Sequence, residues 1–393
     1  MFDYVIVGAG FSGAVIAERI ATQMKKKVLL IEKRNHIGGN AFDEYSKEGL
    51  LTHRYGPHIF HTKMEHVWNY LSQFTDWYLY EHQVLGNIDG QLVPIPFNLN
   101  SLHALFPTEK AISLERKLVN TFGYNIKVPI LRLNQSADEE LKELANYVYE
   151  KVFLHYTLKQ WGMTPEQLSS HVTGRVPVHI SRDNRYFQDT FQGLPKNGYT
   201  RLFEKMLHNP NIKLMLNTDF KEVVKIDESN SSIHIFGQPF KGHLFFTGKL
   251  DELFQYRFGK LPYRSLRFEF ETLHKEYFQN IGTVNYPNNY QFTRITEFKH
   301  LTGQKHQYTS IVREYPQEYN MEYPGKDIPY YPIPNQDNHD LAAQYRGLSK
   351  LFPQMTLLGR LAEYTYYDMD AVIAKALKVF EGISNEMAGD VTS

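Results

Sequence analysis

"DYVIVGAGFSGAVIAERIATQMKKKVLLIEK", residues 3–33, decides the fold. Residues 3–7 form a short apolar run rich in valine and isoleucine. "GAGFSGA" follows, then "VIAERIATQ", which has helical spacing, and then "KVLLIE", a second strand that ends at Glu32. Gly8, Gly10 and Gly13 therefore fit G-x-G-x-x-G between a strand and a helix. The first glycine permits the tight turn, the second lets the backbone approach a pyrophosphate, and the third lets the helix pack closely on the strand. The helix N-terminus, with Ser12 in its first turn, then faces the phosphates. Glu32 stands where a carboxylate binds ribose hydroxyls, with Lys33 beside it. The glycines alone are a weak signal. In a strand–turn–helix–strand context, with the acid at this distance, they are a strong one.

Outward from this unit, "KRNHIGGNAF" places a second glycine pair, Gly38 and Gly39, followed by Asn40, shortly after the ribose acid. That pattern resembles FAD-binding oxidases and related flavoproteins, whose cofactor needs a second close backbone approach. Near the other end, "LLGRLAEYTYYDMDAVIAKAL", residues 357–377, joins a strand-like run to a helix-like run that begins near Asp370. A plain connection is built from Gly, Pro or Asn. This one carries Arg360, Glu363, Tyr364, Tyr366, Tyr367 and Asp368. It resembles the second flavin contact of the same proteins, with Met369, Asp370 and Val372 opening the helix that faces the ring. Asp368 and Asp370 lie where a helix N-terminus favours negative charge; simple N-capping is the alternative reading, and it can be the whole account of one of them.

The chain has 393 residues, 42% of them hydrophobic, so it can build a substantial core, and its length suggests two to three domains. With 43 basic and 43 acidic residues, nothing marks nucleic acid or an anionic membrane as the main partner. There is no cysteine, which excludes disulfides, thiolate nucleophiles and Cys-ligated zinc. No apolar run approaches the roughly 20 residues that span a bilayer, and no secretory leader is recognisable at the N-terminus. The expectation is a cytoplasmic protein without membrane insertion.

From about residue 100 the text turns helical, with Thr108, Asp138 and Thr164 placed as caps or first-turn residues. From about residue 262 it alternates and is punctuated by turns, as antiparallel strands are. "NIKLMLNT", "SSIHIFG" and "GHLFFTG" read as strands of the nucleotide domain. The expected class is α/β plus β. A Rossmann-like FAD-binding domain is assembled from residues 1–78, 196–260 and 336–393. A helical domain occupies residues 100–172, and an antiparallel β-sheet domain residues 79–99, 173–195 and 261–335.

The motifs "RNHIGGNAF", "YGPHIFHT", "LKQWG", "RVPV", "FQGLPKNGYT", "FTRITE", "REYP", "IPYYPI" and "AEYTYYDMD", in this order, resemble bacterial UDP-galactopyranose mutases over residues 2 to about 380. That family is FAD-dependent and interconverts UDP-galactopyranose and UDP-galactofuranose without net redox change. The resemblance implies that Arg175 and Arg294 grip the substrate pyrophosphate, as planar guanidinium groups suit. Tyr186, Tyr331 and Tyr366 bond the phosphates through their hydroxyls. Tyr156, with Thr157 beside it, stacks on uracil, Trp161 lies nearby, and Asn285 is a further substrate contact. His58 and Ile59 lie along flavin and sugar, and Arg360 contacts the FAD phosphate. Glu314 and Asp368 organise neighbouring arginines and tyrosines. Ser12 stands where relatives often carry a bulkier residue, and His82 stands at a variable uridine-side position. His58 and His61 lack the spacing of a metal site. The resemblance further implies a homodimer that takes its electrons from NAD(P)H or a reductase.

Ring contraction requires breaking the bond between the anomeric carbon and UDP, and opening the ring. No cysteine or glycosidase-like carboxylate pair is available. By resemblance the nucleophile is N5 of reduced, non-covalently bound FAD, with adduct opening to an iminium, reclosure through O4 and return of UDP. The expected catalytic set is Arg175, Arg294, His58 and Tyr366. A flavin oxidase or desaturase would not need twin arginines with phosphate-facing tyrosines. A silent nucleotide-sugar-binding flavoprotein would not need the flavin loop.

Overall fold

A computed structural model describes residues 2–167, 177–320, 322 and 328–391 of the chain. Its centre is a five-stranded, all-parallel sheet. The strands lie in the spatial order Ile212–Met215, Val28–Ile31, Tyr4–Val7, His243–Phe246, Met355–Leu357. By chain order this is 3-2-1-4-5, the doubly wound arrangement. The sequences YVIV, VLLI and HLFF contain almost no polar residue because both faces of this sheet are covered. Tyr4 and Ile6 face one core with the helices Phe11–Arg19, Tyr199–Leu207 and Met369–Val391. Val5 and Val7 face the opposite core, with Leu250, Ala342 and Tyr345. The Rossmann-like expectation is borne out.

"SSIHIFG" forms a strand, as expected, and its Ile233 and Ile235 pack into the core that Val5 and Val7 face. Its strand, Ser232–Ile235, lies outside the parallel sheet, in a three-stranded antiparallel sheet with Val224–Asp227 and Gln238–Pro239. The reason is its alternating burial, buried at Ile233 and Ile235 only. That suits a sheet with one covered face and not a parallel strand covered on both.

The second large sheet has seven strands. Tyr263–Leu273 and Thr309–Glu318 form its long antiparallel centre, continued by Arg294–Glu297, Thr283–Asn285, Val84–Ile88 and Gln91–Ile95. Tyr331–Pro332 closes the other edge. One pair, Thr283–Asn285 with Val84–Ile88, is parallel, so the sheet is mixed. Its register puts Asn285 opposite Arg294, and Arg294 opposite Glu314. Directly opposite residues share a face, so these three polar side chains form one row.

Helices Thr108–Phe122 and Glu139–Val148, with the turn Tyr149–Leu154 that leads into the helix His155–Trp161, pack around a third core shared with the Val84–Ile95 hairpin. Asp138 caps the second by accepting from the N–H groups of Glu140 and Leu141. Thr108 opens the first behind Pro107, and Thr164 precedes the short turn Pro165–Gln167. No described helix is long and apolar enough to cross a membrane.

Candidate active site

The glycine-rich turn lies where the strand order reverses, between Tyr4–Val7 and His243–Phe246. A Cβ on Gly13 would come within 1.9 Å of the Gly8 carbonyl oxygen, so only glycine lets the helix seat on the turn. The helix Phe11–Arg19 has no acidic residue in its first turn and no side-chain cap at Gly10, which leaves its positive end open for an anion. Glu32 ends the neighbouring strand. One of its carboxylate oxygens accepts from Ala9 N–H and the other from Arg34 N–H, both at 2.9 Å. Each oxygen keeps a further lone pair for a ribose hydroxyl. The second glycine pair packs on the first loop: a Cβ on Gly39 would lie 2.9 Å from Gly10 Cα. A narrow cradle results, continuing into a cleft lined by Gly8, Gly10, Ser12, Glu32, Lys33, Gly38, Gly39, Asn40, His58, Arg360, Met369 and Val372.

Arg34 also lines this cleft, though sequence reading passed over it. Its guanidinium lies over the Tyr55 ring at 4.5 Å and donates one bond to Asn40, while its buried Nη1 has no partner among the described residues. A buried, unpaired guanidinium nitrogen in a cleft beside a glycine cradle fits an anionic dinucleotide. The signal in the sequence was the basic pair before the second glycine motif.

The tyrosine-rich loop closes the far end. Arg360 donates to the backbone carbonyls of Tyr330 and Tyr367, and its guanidinium lies 5.5 Å and 5.1 Å from the Tyr331 and Tyr366 ring centres. Glu363 accepts from Gly359 N–H and pairs with Lys375, which also donates to the Tyr367 hydroxyl. Asp370 accepts from Ala371 N–H and lies against Thr62. Burial raises its carboxyl above the ordinary range, with Thr62 pulling it back. Asp370 and Tyr367 thus support the loop, and neither lines the cleft.

A polar cavity joins the cleft. Asn40, His58, Tyr330, Arg360 and Met369 line both. Its other walls carry Ile59, His61, His82, Tyr186, Asn285, Arg294, Glu314, Tyr331, Tyr366 and Asp368. The cross-strand row supplies the polar floor. Arg294 lies 2.7 Å from Glu314, whose side chain is only 1% exposed. Burial opposes the Arg294 cation, but the Glu314 carboxylate outweighs it, so Arg294 stays charged. Burial pushes the Glu314 carboxyl up, and Arg294 pulls it back. Asn285 Oδ1 is buried without a partner among the described residues. Two buried acceptors and a held cation ask for a ligand with both donors and negative charge.

His58 is fixed by its neighbours. Its Nδ1 lies 2.8 Å from the Gly56 carbonyl and must donate there, which leaves Nε2 as an acceptor. Burial, then His53 and the two arginines Arg360 and Arg294, lower its pKa to about 3. His82 is likewise held neutral, at about 3, by burial and Arg294. His61 contacts Asp189 at 2.5 Å and stacks on Phe187. Tyr156 lies on the helix that crosses this sheet, near enough to Arg294, Tyr186, Glu314 and Tyr366 for their charges to act on it. Its hydroxyl is pushed up to about 12, first by burial. Thr157 is half-buried beside it. Trp161, at the end of the same helix, packs on Tyr331 and Tyr366, with ring centres 5.7 and 6.0 Å away. Arg175 lies outside the described residues. Among the described residues no group of three or more His, Cys, Asp or Glu is arranged to hold a metal ion.

The sequence profile of the UDP-galactopyranose mutase family matches residues 151–366, and that of the NAD(P)-binding Rossmann-like domain matches residues 6–74. A UDP-galactopyranose mutase of Mycoplasma pneumoniae is 37% identical over 381 residues, covering 96% of this chain and 94% of the relative. A dTDP-fucopyranose mutase of Escherichia coli is 35% identical over 383 residues, covering 96% and 97%. Among solved structures, a reduced UDP-galactopyranose mutase superimposes with a TM-score of 0.74 at 16% identity, covering 98% of this chain and 94% of that one.

Proposed function

Because the chain belongs to the UDP-galactopyranose mutase family, we propose that it is an isomerase interconverting UDP-galactopyranose and UDP-galactofuranose, with non-covalently held FAD that works when reduced. The observation that carries this reading is the junction of the two spaces. Asn40, His58, Tyr330, Arg360 and Met369 line both the dinucleotide cleft and the polar cavity, so a cofactor ring and a sugar would meet there.

When bound and reduced, the flavin supplies a nucleophilic nitrogen toward the anomeric carbon, the group that a chain without cysteine lacks. The protein's own share is binding, orientation and charge. Arg294, kept cationic and aimed by Glu314, holds the diphosphate as it leaves and returns. Arg175 is its counterpart by motif. Burial keeps the Tyr331 hydroxyl protonated, so it donates to phosphate oxygens. Tyr186 and Tyr366, on the same walls, are read the same way. Neutral His58 offers Nε2 as acceptor to a sugar hydroxyl. With its pKa so low, it orients that hydroxyl and does not act as an acid near neutral pH. Tyr156, Thr157, Trp161, His82 and Asn285 are read as the nucleoside end of the site. The division into FAD-binding, helical and sheet domains, a homodimer, a cytoplasmic location and reduction by NAD(P)H or a reductase belong to the same reading.

The test is to incubate dithionite-reduced protein with UDP-galactofuranose, and in parallel with dTDP-fucofuranose, and to separate the products by chromatography. Conversion of the first to UDP-galactopyranose is expected. Conversion of the second alone would move the assignment to the deoxysugar, and conversion of neither would refute it.

A further inference from the structure

Lys159 lies between Tyr156 and Trp161 on one helix, yet it points away from the cavity. Its ammonium donates to the backbone carbonyls of Tyr286, Tyr290 and Phe292, at 2.5, 3.1 and 3.2 Å. All three belong to the loop of one hairpin, whose two strands end at Asn285 and begin at Arg294. No carboxylate pairs with Lys159 among the described residues, so its charge is satisfied by backbone dipoles alone. A second tie crosses the same gap, from Asn288 Nδ2 to Lys151 O at 2.7 Å. On the other side Arg264, 6% exposed and from the long strand Tyr263–Leu273, donates to Gln160 O and Lys159 O, both at 3.0 Å. A cation there also suits the negative end of the helix.

The helix bearing Tyr156 and Trp161 is therefore clamped twice to the sheet bearing Asn285, Arg294 and Glu314. We infer that Lys159 and Arg264 are positioning residues: they set the width of the cleft between the aromatic helix and the polar row, and so the affinity for the nucleoside diphosphate part of the substrate. The inference rests on the proposed function for the identity of that ligand. Neither side chain lines the cavity, so their effect is on binding by way of geometry. Removing the ammonium leaves three convergent carbonyls unsatisfied, and the hairpin loop relaxes away from the helix. The nucleoside end of the ligand, nearest the clamped helix, is remote from the reacting carbon, so the loss is mainly one of uniform binding, felt in KM more than in kcat.

The charge matters as well as the reach. Burial lowers the Lys159 pKa to about 8, so the clamp is cationic at pH 7 and loses its proton above. Around it stand Tyr286 and Tyr290 from the loop, His155, Glu150 and Lys151 from its own helical run, Asp89 from the neighbouring turn, and Arg264. An arginine in place of Lys159 keeps its charge throughout this range, so it separates the titration of Lys159 from that of every neighbour.

The experiment measures UDP and dTDP binding by calorimetry at pH 7 and pH 9, with kcat and KM, for the FAD-loaded parent, Lys159→Met and Lys159→Arg. Lys159→Met is expected to weaken nucleotide binding about 10- to 100-fold, as loss of a charged hydrogen-bond donor does, with kcat within about threefold. Lys159→Arg should restore most of the affinity. Parent affinity should fall between pH 7 and 9 while that of Lys159→Arg holds. Equal affinity of parent and Lys159→Met overturns the inference alone, as does a parental pH dependence that survives in Lys159→Arg. A parent that binds neither nucleotide overturns the functional reading and the inference with it. Should Lys159→Met not load FAD, Asn288→Ala, which loosens the same loop from outside the site, is expected to raise KM in the same sense. An unchanged KM there overturns the inference.

Discussion

Removing Arg294 perturbs two things at once, and the geometry lets them be separated. The first, on the proposed function, is catalytic. A charge-assisted contact on a departing diphosphate in a dry site is worth about 2–4 kcal/mol, or roughly 30- to 1000-fold in rate. The second is structural. Glu314 is 1% exposed and has Arg294 at 2.7 Å as its ion-pair partner. Breaking a buried pair from one side costs about 3–5 kcal/mol. Arg294 is itself 28% exposed toward the cavity, so water can replace it in part and the low end of that range applies. Arg294→Ala should therefore lower both turnover and thermal stability. The stability deficit should shrink as pH falls, because protonating Glu314 removes the unpaired charge. Arg294→Ala with Glu314→Gln should recover the stability and keep the kinetic defect. Turnover of UDP-galactofuranose, flavin content by absorbance, and thermal midpoints between pH 5.5 and 8 read all of this. Recovery of turnover in the double variant would refute the assignment of Arg294 to the leaving group, as would a single variant that turns over like the parent.

The purified protein should be yellow and release FAD on acid treatment, and Arg34→Ala should load less flavin than the parent; a colourless protein that FAD does not reconstitute would sink the cofactor reading. Activity should require prior reduction by dithionite or NAD(P)H while consuming no electrons per turnover; oxygen uptake in step with product would point to an oxidase instead. His53 and His82 are buried and neutral, with pKa values of about 4 and about 3. These lie below an unfolded value of about 6.5, so their contribution to stability is whole above pH 6.5 and is lost as pH falls toward 4. With His58, likewise buried and neutral at about 3, three such groups give a slope of about 4 kcal/mol per pH unit. Chemical denaturation at pH 7, 5.5 and 4.5 should show it, and His53→Asn with His82→Asn should remove about two thirds of it; an unchanged slope would mean that other groups carry the acid sensitivity.

Some of this molecule was legible before any coordinates. The dinucleotide turn was, because its requirements are local: glycines where backbone must touch backbone, an acid one strand later, and an uncapped helix end. Asp138 as a cap was legible for the same reason. The strand at Ser232–Ile235 was legible as a strand, but its sheet was not, because a short-range pattern marks a strand without saying which sheet takes it.

The sequence by itself determined which chemistry was available: a glycine-rich dinucleotide turn, a set of arginines and tyrosines, and no nucleophilic thiol. Tertiary structure decided how those groups stand toward one another. Asn285, Arg294 and Glu314 form one row only because three strands pair in a particular register. His58 is neutral, with Nε2 as acceptor, only because the Gly56 carbonyl and the surrounding burial hold it so. Arg34 and Lys159 gained their meaning from an empty bond in one case and three carbonyls in the other. Register and desolvation are sums over residues far apart in the chain, and no local pattern of letters contains them.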